Sequence, residues 1–224
     1  ARAALEDARE RIKRALGWEG EAIFTSGASE ALWIALNRAK VARRIVSAVE
    51  HDAVFRAAPD AAILDDAMTL GAGTLVAIHH VNSETGTINP VSDMARAIRP
   101  GGAVLLSDCA QSAGKLDLPD ADMIALSAHK FGGPIGIGAL LVRDFALLDP
   151  VGGHERGYRQ GTENLPGALG MAAALEVGAM DQWATSAAER VAFREAIAQI
   201  GEVIAPGEQA AHILALVHPT MRAD

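Results

Sequence analysis

The sequence predicts an α/β fold, in which a mostly parallel sheet is covered by helices and is followed by the start of a smaller C-terminal α/β domain. Short apolar runs alternate with helix-like segments between Glu21 and Val142, as in parallel sheets that are covered on both faces. Half of the 224 residues are hydrophobic, which is enough for one large core. Polar side chains follow several apolar runs, where such sheets bind ligands. We therefore expect a large domain over residues 1–182 and an incomplete small domain over residues 183–224.

The predicted elements follow in order along the chain. Apolar residues at helical spacing predict a first helix over residues 3–16, which Gly17 ends. Buried strands are predicted at residues 21–25, 44–49, 75–79, 103–106, 123–126 and 139–142, and further helices at 31–39, 53–58, 91–98, 167–180 and 187–200. Short strands at 203–204 and 213–217 begin the smaller domain.

Composition argues against several classes of protein. The net charge of −8 includes no block of like charge, which argues against a nucleic-acid-binding surface. A single cysteine excludes a disulfide framework and a thiolate zinc site within one chain, and it suits a reducing compartment, so we expect a cytoplasmic protein. No apolar run approaches the ~18 residues that span a bilayer. The chain begins without Met inside a helical pattern, so we expect that its natural N-terminus is missing.

A lysine lies at the end of one predicted buried strand. Lys130 follows the apolar run at 123–126, and the glycines of S-A-H-K-F-G-G-P-I-G-I-G let the backbone turn sharply behind it. A reactive amine would be useful there. The pattern suits an ordinary surface lysine equally well, because these glycines follow no phosphate-binding template.

The segment S-G-A-S-E joins a predicted strand to a predicted helix. The first amides of such a helix have no partner within it and attract phosphate, with Gly27 allowing a close backbone approach and Ser29 offering a hydroxyl. A plain serine cap with Glu30 in the first turn explains the same residues.

Further polar residues follow other strands. His51 and Asn82 each come after a predicted strand, and Asp108 lies at the end of another, where a carboxylate needs a charged or hydrogen-bonded partner. A lone histidine at a strand end is mostly structural. The carboxyl ends of parallel strands nevertheless share one rim, so the sequence predicts that these three residues, Ser29 and Lys130 converge there.

Together these groups suit pyridoxal 5'-phosphate (PLP), which needs a Schiff-base lysine, an acid at its pyridine nitrogen and an anion site. Six motifs also carry a resemblance: T-S-G-A-S-E, E-H-D-A-V, H-V-N-S-E-T-G, S-D-C-A-Q-S, S-A-H-K-F-G-G-P-I-G-I-G-A-L-L-V-R and G-G-H-E-R-G-Y-R-Q-G-T-E-N. Over roughly residues 23–176 the chain resembles the cysteine desulfurases of class V of the aminotransferase superfamily. The resemblance implies a fold type I PLP-dependent transferase with an aspartate aminotransferase-like large domain.

The resemblance implies a role for each site residue. Lys130 would be the Schiff-base lysine that removes the Cα proton, and Asp108 would hold the pyridine nitrogen. His51 would stack on the ring and shuttle protons. The phenolic oxygen would be bound by Asn82 and Gln111. The phosphate would be held by Ala28, Ser29, Ser127 and His129 and, across a homodimer, by Thr162.

The implied reaction converts L-cysteine to L-alanine and passes the sulfur on as a persulfide, for iron–sulfur cluster assembly or another acceptor protein. Cys109 occupies the place of a small residue, so we expect it to pack, and we expect the nucleophilic cysteine and the substrate-binding arginine of the family beyond residue 224. The short spacing from His51 to Asn82 suggests that residues are missing between them.

Two alternatives stay open at this point. One is another class V PLP enzyme, namely an aminotransferase, a selenocysteine lyase or a β-lyase. The other is a PLP-binding interaction protein without turnover.

Overall fold

A seven-stranded sheet lies at the centre of the computed structural model, which describes residues 1–178 and 185–221. Its strands are β1 (Glu21–Thr25), β2 (Arg43–Val46), β3 (Ala62–Ile63), β4 (Thr74–His79), β5 (Val104–Asp108), β6 (Met123–Ser127) and β7 (Gly138–Val142). Their spatial order is β1-β7-β6-β5-β4-β2-β3, and neighbours from β6 to β3 are parallel. The fold is therefore α/β with a mostly parallel sheet, as predicted.

Strand β7 runs antiparallel to both of its neighbours, β1 and β6. A parallel pairing of β6 with β7 would need a crossover of a dozen or more residues, and the chain between them is too short. Strands and helices alternate less strictly than the sequence suggested, because no α-helix joins β3 to β4, β5 to β6 or β6 to β7.

Helices cover both faces of the sheet. They are α1 (Arg2–Ala15), α2 (Ala28–Arg38), α3 (Asp52–Ala57), α4 (Val91–Ile98) and α5 (Leu165–Val177). One apolar cluster joins α1, α4 and α5 to one face, and a second joins α2 and α3 to the other. Successive side chains of β6 alternate between them, since Ile124 belongs to the first cluster and Met123 and Ala125 to the second.

Helix α1 packs against α5, far along the chain. Arg11 of α1 donates hydrogen bonds of 2.7 and 2.6 Å to the carboxylate of Glu176. Leu5, Ala8 and Ile12 place their apolar side chains in the same cluster as those of α5. None of the helices in the described part of the chain is long and apolar enough to cross a membrane.

Several element boundaries differ from the predictions. Helix α2 begins at Ala28 rather than at residue 31, and β2 ends at Val46 rather than at residue 49. The short edge strand β3 was not predicted. Helix α5 begins at Leu165, because Asn164 caps it by accepting a 3.0 Å hydrogen bond from the Gly167 amide. The predicted end of this helix at residues 179–180 lies outside the described residues, as does the expected domain boundary at 182.

The last described segment adds no strand to the seven-stranded sheet. It contains α6 (Ala187–Ile197) and a two-stranded antiparallel sheet of β8 (Glu202–Ile204) and β9 (Ala215–Val217). Residues after β8 dock on the loop that follows β4, where the Ile88 amide donates to Glu208 O and the Ala210 amide to Gly86 O, both at 2.8 Å. This contact supports the loop that carries Asn82.

Candidate active site

A cavity of about 600 Å³ opens at the edge where the parallel strands end. Eight of the ten predicted site residues line it: Ala28, Ser29, His51, Asp108, Gln111, Ser127, His129 and Lys130. The other two, Asn82 and Thr162, are not among its lining residues. The structure thus brings together residues from four separate segments of the chain.

The start of α2 forms one wall of the cavity. Gly27 precedes the helix, no side chain caps its first turn, and Ala28 and Ser29 lie within that turn. The structure therefore does not show the serine cap on α2 that the sequence also allowed. A helix start with free amides carries a partial positive charge and binds anions. The turn also touches β7, since a Cβ on Gly138 would lie 2.7 Å from the Gly27 Cα.

Lys130 lies in a 3₁₀ turn, Ala128–Phe131, directly after β6. It is exposed, and its Nζ makes no hydrogen bond or ion pair with any residue that the structure describes. Beside it, the Ser127 hydroxyl and His129 Nδ1 share a hydrogen bond of 3.0 Å. An exposed amine without a carboxylate partner is available to a carbonyl compound.

Asp108 is the last residue of β5, and its carboxylate is buried. Burial raises the pKa of Asp108 to about 6. A 2.9 Å hydrogen bond from the Ala110 amide opposes this rise, the nearby Glu50 carboxylate adds to it, and His51 and His79 also oppose it. A cation placed against this carboxylate would stabilise its ionised form.

His51 begins α3 and caps it. Its Nδ1 accepts a 3.1 Å hydrogen bond from the Ala53 amide. Because Nδ1 is an acceptor here, the ring proton of the neutral imidazole lies on Nε2. The cap fixes the ring at the cavity wall and leaves Nε2 for a ligand.

His79 is a cavity residue that the sequence reasoning missed. Its Nδ1 lies 2.8 Å from Glu50 Oε1, and its Nε2 lies 3.3 Å from Asn82 Nδ2. His79 is the register partner of Asp108 across β4 and β5, so the two side chains are neighbours on one face of the sheet. The signal was the same as for Asp108, a polar residue that ends an apolar strand.

The loop that carries Thr162 is tied to its own chain. Glu155 is buried, binds Arg9 through hydrogen bonds of 2.8 and 3.2 Å, and accepts a 2.8 Å bond from the Phe24 amide. Arg159 donates to Glu30, in the first turn of α2, at 3.1 Å. Arg159 therefore ties the loop to the start of α2 of its own chain, although Thr162 itself is exposed. Its role across a dimer stays a prediction.

Two further reactive side chains lie near the site, the buried thiol of Cys109 and the half-buried amine of Lys115. Cys109 has no exposed surface, and burial raises the pKa of its thiol to about 12, so the thiolate is scarce at neutral pH. Lys115 donates a 3.1 Å hydrogen bond to the carbonyl of Gln111. Burial, and then the charge of Lys130, lower the pKa of Lys115 to about 8.

Comparisons with known proteins show the family of this chain. The family model for class-V aminotransferases matches residues 63–220. A cysteine desulfurase IscS from Anaeromyxobacter sp. (strain Fw109-5) is 38% identical over 87% of this chain and 57% of its own length. The chain thus spans a little more than half of that relative.

Two solved structures are similar to this chain in both sequence and fold. The structure of DndA from Streptomyces lividans is 31% identical, with a TM-score of 0.79 over 96% of this chain and 73% of that protein. The structure of SspA in complex with cysteine is 30% identical, with a TM-score of 0.71 over 90% of this chain and 67% of that protein.

Proposed function

Because this chain belongs to the cysteine desulfurase family of the class-V aminotransferases, we propose that it forms the cofactor-binding part of an enzyme that converts L-cysteine to L-alanine and passes the sulfur on as a persulfide. The family is PLP-dependent. The observation that carries the proposal is the cavity where Lys130, Asp108 and the uncapped start of α2 meet.

The residues around the cavity fit PLP. The cofactor has an aldehyde, a ring nitrogen and a phosphate. The site offers an amine without an ion-pair partner in the described residues, a buried carboxylate that lacks a cation, and a helix start without a side-chain cap. When bound, PLP supplies a ring that delocalises the negative charge left by loss of the Cα proton.

Each residue then has a distinct task. Lys130 would hold the cofactor covalently and would take the proton from the substrate Cα. Asp108 would keep a proton at the ring nitrogen, and His51 would cover the ring and move protons. The phenolic oxygen would be bound by Asn82 and Gln111, and the phosphate by Ala28, Ser29, Ser127 and His129.

Sulfur transfer needs a nucleophilic cysteine. Cys109 is buried with a raised pKa, so the sulfur-accepting cysteine would lie outside these 224 residues. We propose a cytoplasmic homodimer in which Thr162 reaches the phosphate of the neighbouring subunit, with a large domain over residues 1–182 and a smaller one from residue 183. Delivery of the sulfur to an acceptor protein, for iron–sulfur cluster assembly, belongs to the same proposal.

The test uses the full-length protein, PLP and L-cysteine. We expect one covalently bound cofactor per chain, seen as a visible absorption band, and equal yields of alanine and, with a thiol reductant, sulfide. Lys130→Ala should remove the band and the product. The matched control is Lys40→Ala, which changes a half-exposed lysine beside Asp149 and should leave both intact. A wild type that takes up no PLP would overturn the proposal.

A second candidate, another class V reaction, is favoured by the burial of Cys109. The chain itself supplies groups for removing a Cα proton but no accessible sulfur acceptor. The same assay separates the cases. Pyruvate from cysteine would indicate β-elimination, alanine from selenocysteine alone would indicate a selenocysteine lyase, and bound PLP without any product would indicate an interaction protein.

A further inference from the structure

A series of hydrogen bonds runs from a buried carboxylate to the cavity, and it begins with Glu50 and His79. Both residues are buried, with 7% and 5% of their surface exposed. Glu50 Oε1 lies 2.8 Å from His79 Nδ1 and accepts a 2.9 Å hydrogen bond from the His79 backbone amide. An ionised carboxylate only accepts hydrogen bonds, so the neutral imidazole of His79 carries its proton on Nδ1.

The series continues to Asn82. With its proton on Nδ1, His79 accepts at Nε2, which lies 3.3 Å from Asn82 Nδ2. Asn82 Oδ1 accepts 2.9 Å hydrogen bonds from the backbone amides of Glu84 and Thr85. The Asn82 amide is therefore held in one orientation, with its NH₂ group directed at His79 and, at 3.4 Å, at Val49 O. His79 and Val49 both line the cavity.

A stabilising role alone does not explain the pair of Glu50 and His79. The second carboxylate oxygen, Glu50 Oε2, is buried and has no hydrogen-bond partner within the described residues. Leaving a buried carboxylate oxygen unpaired costs stability. A pair retained only to stabilise the core would be replaced at little cost by apolar side chains.

We propose that Glu50 and His79 are positioning residues, which fix the Asn82 amide as an N–H donor for the phenolic oxygen of PLP. The proposal rests on the proposed function, in which Asn82 binds that oxygen. The contact to Val49 O is at the limit of a hydrogen bond, so it is the one that the phenolic oxygen replaces. The shorter contact to His79 then stays and holds the amide in place.

The test is a double-mutant cycle in the full-length protein with PLP. His79→Asn keeps an amide donor near the place of Nδ1 for Glu50 but offers no acceptor at the place of Nε2. We expect it to weaken PLP binding about 3- to 10-fold, the range of one hydrogen bond, and to shift the visible band of the bound cofactor. In the Asn82→Ala background the same change should cost less than about 2-fold and shift nothing, because coupled residues are not additive.

A control and a second variant complete the cycle. His218→Asn changes a histidine of the C-terminal unit, whose Nδ1 accepts from the Thr220 and Met221 amides, and should leave the band unchanged. If His79→Asn does not fold, Glu50→Met takes its place, because it removes the oxygen that accepts from His79 Nδ1.

The outcomes separate this inference from the proposed function. Equal effects of His79→Asn with and without Asn82, or no effect in either background, would overturn the positioning role while PLP binding stands. A wild type that takes up no PLP overturns the proposed function, and the positioning role falls with it.

Discussion

Asp108→Asn should stabilise the cofactor-free protein, and the gain should grow with pH. Burial raises the pKa of Asp108 from an ordinary 3.8 to about 6, so the native state binds this proton more tightly than the unfolded chain does. Its contribution to the free energy of unfolding is complete below about pH 4 and is lost as the pH rises through 6. A difference of roughly two pKa units corresponds to about 3 kcal/mol. Asparagine stays neutral and still accepts from the Ala110 amide, so it avoids this loss.

Urea unfolding of the cofactor-free, full-length protein at pH 4 and pH 8 measures the effect. The charges of Glu50, His51 and His79 act on this carboxylate, so the useful quantity is the difference between variant and wild type. We expect this difference to grow by about 2 kcal/mol in favour of the variant between the two pH values. Asp66→Asn, at an exposed carboxylate, should show no such growth. A difference for Asp108→Asn that is independent of pH, or that shrinks, would refute the reasoning.

Three further predictions concern the proposed dimer, the Cys109 thiol and the buried ion pair of Arg9 with Glu155. Thr162→Ala should weaken PLP affinity by about 1.5 to 3 kcal/mol, as for a hydrogen bond to a charged group. A dilution series followed by light scattering and cofactor absorbance tests this. Monomers that hold PLP as tightly as dimers would contradict a shared site. Iodoacetamide at pH 8 should alkylate Cys109 at least ~10³-fold more slowly than a free thiol, because burial raises the pKa of the Cys109 thiol from 9 to about 12. Rapid labelling of the peptide that contains Cys109, seen by mass spectrometry, would contradict the burial. Arg9→Ala should lower the free energy of unfolding by about 3 to 5 kcal/mol, because it leaves Glu155 buried without its cation. Arg2→Ala, at an exposed arginine, is the control. A loss for Arg9→Ala no larger than that of the control in urea titrations would contradict this prediction.

Much of the site could be predicted because its signals are local. An apolar run that ends in a polar residue marked both Asp108 and Lys130, and the structure places both at the cavity. The direction of β7 depends on the short connection after β6, which the pattern of apolar residues does not register.

The missed contacts join distant parts of the chain. His79 is meaningful only beside Glu50, 29 residues earlier, and Arg159 binds Glu30 across 129 residues. No periodicity reports such pairs, so one sequence could not show that the loop returns to α2 or that a second histidine reaches the cavity.

The packing of α1 on α5 sets the order of events when the protein is made on the ribosome. Arg11 and Glu176 are 165 residues apart, so at about 5 to 20 residues per second the helix waits roughly 8 to 33 s for its partner to be synthesised. During this interval Leu5, Ala8 and Ile12 lack the apolar neighbours that α5 provides, and β1 also waits for β7. The nascent chain therefore exposes the apolar face of α1 until α5 has been synthesised. Substitutions at Leu5, Ala8 or Ile12 should reduce the yield of folded protein in cells more than they reduce the turnover of the molecules that do fold.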